Sequence, residues 1–82
     1  MNVVTYLLIS LRSAALAIDL AGRSSTADTL YSVADAVESG RATEEHMKLV
    51  AEKLKTRDVT DADWSEVLGR IEADSAELRE GG

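Results

Sequence analysis

The chain has no cysteine, no proline and no phenylalanine, and its aromatic residues are Tyr6, Tyr31 and Trp64. Without cysteine there is no disulfide, no thiolate nucleophile and no cysteine-based zinc site. Three scattered aromatics do not make a base-stacking platform. Trp64 reads as a core anchor for the last helix, with its indole N–H at the rim. Positive charge is also scarce: 9 Lys and Arg stand against 15 Asp and Glu, a net charge of −6. Arg12 and Arg23 against Asp19 leave residues 1–25 at +1, so residues 26–82 carry −7. No basic stripe is available to neutralise phosphates, which argues against direct nucleic-acid binding and against an anionic membrane surface.

What remains is the composition of one globular domain spanning residues 1–82, 45% hydrophobic and 29% charged. A chain this short buries a modest share of its surface, so a homo-oligomer, dimer or higher, is expected.

The most apolar stretch is residues 2–21. No Lys or Arg precedes it, as a secretory signal would want, and Arg12 and Asp19 lie inside it, where a bilayer centre would penalise them. It reads as a buried helix. Val4, Leu8, Leu11, Ala15 and Ile18 form one stripe at helical spacing with Leu7 beside it, and Ser10, Ala14, Ala17 and Ala21 form a face of small residues. Val3, Ile9, Leu16 and Leu20 widen the apolar surface beyond what three short helices can cover. Val4, Leu7, Leu8, Leu11, Ala15 and Ile18 are therefore assigned to an oligomer interface. Arg12, a lone cation in this helix, and Asp19, seven residues on, suit an intersubunit ion pair in an antiparallel dimer.

Gly22 suits a helix C-cap, and a pattern of 17-residue period follows. Thr26, Thr43 and Thr60 align as N-caps, and apolar residues recur four, seven, eight and eleven positions after each. The sets are Leu30, Val33, Ala34, Val37; Met47, Val50, Ala51, Leu54; and Trp64, Val67, Leu68, Ile71. Ala42 and Val59 precede the second and third caps as hydrophobic staples for Met47 and Trp64, and Thr60 with Asp63 resembles a capping box. Acids crowd the first turns, where the helix dipole favours them. Gly40 and the run Thr56-Arg57-Asp58 act as stops. The expected fold is all-α, a compact bundle of four helices at roughly 2–21, 27–39, 44–56 and 61–79.

Few residues suggest chemistry. His46, the one histidine, reads as a solvated first-turn residue without a metal-ligating or catalytic partner. Asp58, Asp61, Asp63 and Glu66 lack the glycine and terminal glutamate of a calcium loop and read as helix-capping acids. Arg23, Ser24, Ser25 and Thr26 lead into a helix N-terminus and are the one place suited to a small anion. No nucleophile–base pair, metal cluster or cofactor motif is present, so the reading is non-enzymatic, with no metal and no cofactor.

Two stretches carry a resemblance. Leu54-Lys55-Thr56-Arg57-Asp58-Val59-Thr60-Asp61-Ala62-Asp63-Trp64 resembles the helix–turn–Thr–acid–helix unit of short oligomerisation domains of the SHOCT type. Ala21-Gly22-Arg23-Ser24-Ser25-Thr26-Ala27-Asp28-Thr29-Leu30-Tyr31-Ser32-Val33-Ala34-Asp35-Ala36 is similar to small helical accessory proteins of tailed bacteriophages and prophages. That similarity implies a bacterial cytoplasm or a virion as the setting and no catalytic residue. The leading expectation is a protein–protein interaction protein that self-associates through its first helix. The alternatives are an acidic anti-defence decoy for a basic host protein surface, or an oligomer that sequesters a small anionic ligand such as a nucleotide.

Overall fold

The computed structural model describes residues 2–56 and 60–81, and no strand occurs among them. The helices are α1 (Val3–Leu20), α2 (Ser24–Glu38), α3 (Glu44–Lys55) and α4 (Asp61–Gly81). This is the expected all-α, four-helix fold. Most of the starts and stops have a local cause. Asn2 caps α1, its side chain accepting the Thr5 N–H at 2.8 Å. Gly22 and Gly40 close α1 and α2 at φ +87° and +79°, a left-handed conformation that side chains rarely adopt. Around each glycine the Schellman pattern is complete. Gly22 and Arg23 donate to the carbonyls of Asp19 and Ile18 at 3.0 and 3.1 Å, and Gly40 and Arg41 to those of Val37 and Ala36 at 3.3 and 2.9 Å.

The tight turn at Gly22 corrects the start of α2. The helix begins at Ser24, ahead of the expected 27, because the Arg23 carbonyl already accepts the Ala27 N–H at 3.1 Å. Arg23 therefore occupies the N-cap position without a side-chain cap bond, and Thr26 is a buried first-turn residue instead of a cap. The threonine caps hold in α3 and α4. The Thr43 hydroxyl accepts the His46 N–H at 3.3 Å, and the Thr60 hydroxyl accepts the Asp63 N–H at 3.3 Å. Ala42 and Met47 are both half-buried against the core, whereas Val59, Arg57 and Asp58 lie outside the described residues.

At Thr60 the capping box is reciprocal: the Asp63 carboxylate accepts the Thr60 N–H at 3.1 Å and the Thr60 hydroxyl at 2.9 Å. These bonds, the backbone one first, hold the Asp63 carboxyl below its ordinary value of 3.8. A carboxyl held low in the folded state contributes stability above its unfolded value and loses it as pH falls through the lowered one. The melting-temperature gap between wild type and Asp63→Asn should stay constant above about pH 5 and narrow below about pH 4. A gap independent of pH would contradict this.

One core joins all four helices: Leu7, Leu11 and Ala15 of α1; Leu30, Val33, Ala34, Ala36 and Val37 of α2; Val50 of α3; and Trp64, Val67 and Ile71 of α4. Every apolar position of the 17-residue pattern is buried or half-buried, and Trp64 is the expected core anchor. α2 packs on α1 and α4, and α3 packs on α4 and α1. The central seat belongs to α2, which buries seven of its 15 residues, while α1 buries three of its 18. Ala27, Ala34 and Ala36 are among those buried in α2, and small side chains let neighbouring backbones approach closely. The bundle is only 18 Å thick in its shortest dimension, about two helix diameters, which leaves α1 an uncovered outer face.

Candidate interaction surface

The structure reassigns the faces of α1. Leu7, Leu11 and Ala15, expected at an oligomer interface, are sealed in the chain's own core, with Leu8 and Ile18 half-buried against it. Val4 sits at the rim. The reason is that α2 and α3 take that stripe, so it cannot also meet another molecule. The side left open is a different one. Tyr6 is 60% exposed, Ile9 51%, Leu16 53% and Leu20 80%. With exposed Ser13 these positions run 6, 9, 13, 16, 20, the alternating three- and four-residue spacing of a heptad seam. Isolated exposed apolar residues are ordinary on a protein surface, but an aligned row along one helix marks a contact face. The spacing was present in the sequence, hidden because the opposite stripe is equally apolar.

Arg12 also has a partner within its own chain. Its guanidinium pairs with the Glu38 carboxylate of α2 within the same chain, so an intersubunit partner is not needed to satisfy it. About half of each side chain remains exposed, 48% and 57%. Asp19 is exposed and has no ion-pair partner among the described residues. Arg12 and Asp19 lie along the same edge of the Tyr6–Leu20 row, one position before Ser13 and Leu20 respectively.

The expected anion-binding run, Arg23 to Thr26, forms the N-cap and first turn of α2. Ser24 and Ser25 are exposed, Thr26 is buried, and Arg23 lines a cavity. That cavity, about 170 Å³, is lined by Ala14, Ile18, Arg23, Leu30, Lys53, Leu54, Thr56 and Trp64. It lies below the size range of drug-sized ligand pockets and is too small for a nucleotide. Lys53 is already engaged with Asp63 at 3.5 Å.

His46 is the residue that sequence reasoning missed. It is 4% exposed, not solvated. Its Nδ1 accepts the Thr43 N–H at 3.0 Å, the role a glutamate or glutamine usually plays in a capping box. Nε2 therefore carries the proton and donates to the Asp74 carboxylate of α4 at 2.5 Å. One side chain thus ties the start of α3 to the last helix. The groove beside it, about 480 Å³, is lined by Glu45, Lys48, Leu49, Glu52 and Arg70 as well as the pair. Both imidazole nitrogens are occupied, so the pair is a structural clamp. No three His, Asp or Glu side chains are placed to hold a metal among the described residues. His46→Ala should cost about 2 kcal/mol, two net hydrogen bonds, and lower the melting temperature by roughly 10 °C. His46→Gln should lose less, because glutamine can keep the capping bond. Thermal unfolding followed by circular dichroism checks both, and an unchanged His46→Ala would contradict the clamp.

α1 is also long and apolar enough to cross a membrane by length and composition, with a mean hydropathy of 1.7 over Val3–Leu20. No family model matches the chain, and comparison with curated proteins and with solved structures finds no match.

Proposed function

We propose that the chain is a non-enzymatic interaction protein whose working form is a self-associated one, joined through the outer face of α1. The observation that carries this is the exposed row Tyr6, Ile9, Leu16 and Leu20 on a helix whose other side is already committed to the core. Fully burying a large apolar side chain contributes about 1.5–3 kcal/mol, so the exposed portions of four on each copy, half or more of each side chain, supply a driving force that an 82-residue chain otherwise leaves unused. A second copy suits this face better than a bilayer does: Arg12 and Asp19 border it, and a net charge of −6 opposes an anionic lipid surface. The setting we propose is a bacterial cytoplasm or a virion, a reading supported by the resemblance of residues 21–36 to small phage proteins.

Association that accompanies folding makes thermal stability depend on concentration. The melting temperature should rise measurably over a hundredfold increase in protein concentration. A constant value, or flotation of the chain with neutral phosphatidylcholine vesicles, would contradict the proposal.

A further inference from the structure

We infer that the second copy lies antiparallel on α1, related by a two-fold axis near residues 14 and 15, with Arg12 of each copy beside Asp19 of the other. This deepens the self-association reading and rests on it. In heptad terms Tyr6, Ser13 and Leu20 are a positions and Ile9 and Leu16 are d positions. The two edges of the seam are then chemically different. One edge carries Ser10 and Ala17 at e, and the other carries Arg12 and Asp19 at g.

Orientation decides which edges meet. In a parallel pair each g edge faces an e edge, so Arg12 would face Ala17 and Asp19 would face no residue of α1, which ends at Leu20, leaving both charges without a complement. In an antiparallel pair like edges meet. The e edges, with Ser10 and Ala17, allow close approach of the two backbones. The g edges bring a cation and an anion together twice. When Ser13 lies level with Leu16 of the second copy, Ile9 lies level with Leu20, and Arg12 falls within about 3 Å along the axis of the opposite Asp19. The intrachain pair with Glu38 does not block this, because a guanidinium has five N–H donors and Arg12 remains 48% exposed. Exposed ion pairs add little affinity, so the role of this one is to select orientation.

The absence of cysteine makes a direct test possible, since any introduced thiol is unique. Ile9→Cys and Leu20→Cys are made separately at exposed positions, mixed or kept apart, oxidised briefly and resolved by non-reducing electrophoresis. A disulfide needs its Cα atoms within about 7 Å. In the antiparallel pair the two residues are level across the seam, whereas each lies about 16 Å along the axis from its own copy. The expected result is cross-linking in the mixture in clear excess over either variant alone. Cross-linking of Ile9→Cys alone at least as strong as in the mixture reports a parallel pair and overturns the inference. A dimeric mass with no cross-link in any sample also overturns it, while self-association itself stands. A monomeric mass removes both. Asp19→Lys should weaken the dimer about three- to tenfold at low salt and much less at high salt. No change at low salt would overturn the edge argument.

Discussion

Leu11→Asp should unfold the chain. Leu11 is fully buried where α1 meets the rest of the core. The substitution forfeits the leucine's burial and leaves a cavity, together about 2–5 kcal/mol. It also places a carboxylate with no partner in an apolar site, which costs several kcal/mol more whether it stays charged or is protonated. The whole stability of a small domain is about 5–15 kcal/mol, and a chain of this length belongs near the low end. Far-ultraviolet circular dichroism at 25 °C should show most of the helicity lost. Retained helicity with a cooperative melt would mean that Leu11 is not a core residue.

Ile9→Asp and Leu16→Asp should do the reverse, separating the copies and sparing the fold. Ile9 lies two residues before Leu11 on the same helix, yet about half of it and of Leu16 is exposed. A carboxylate there meets water in the monomer and costs little. In a two-fold assembly each substitution appears twice in the seam, so the lost burial of the exposed halves alone amounts to about 1.5–3 kcal/mol, a weakening of at least about tenfold. Sedimentation velocity should give the monomer for both variants, with circular dichroism unchanged. An assembly that survives either substitution would place the contact elsewhere, and loss of helicity would move that residue into the core.

The contrast between these two positions shows what could be read from the residues. Helix number, approximate limits and the stops at Gly22 and Gly40 are determined within a few residues, so they were legible. So were the Thr43 and Thr60 caps and the buried set spaced along α2, α3 and α4. The inner face of α1 is half legible: the stripe is visible in the residues, but they do not say whether a partner or the chain's own core covers it. A helix that is apolar nearly all round has no sequence marker for inside, and the decision falls to the surface that α2 presents to it. Thr26 failed for a local reason, because the turn after Gly22 starts α2 early and takes the cap position away from it. His46 failed for a non-local one. Its second partner, Asp74, lies 28 residues further along, and only packing of α3 on α4 brings them together. The Arg12–Glu38 contact is likewise non-local, formed only when α2 packs on α1.

The account depends most on one quantity, the mass of the wild-type chain in solution. Light scattering on a size-exclusion column should give twice the 8.8 kDa of a single chain. A mass of 8.8 kDa sustained up to about 100 µM would contradict the claim that the outer face of α1 holds a second copy.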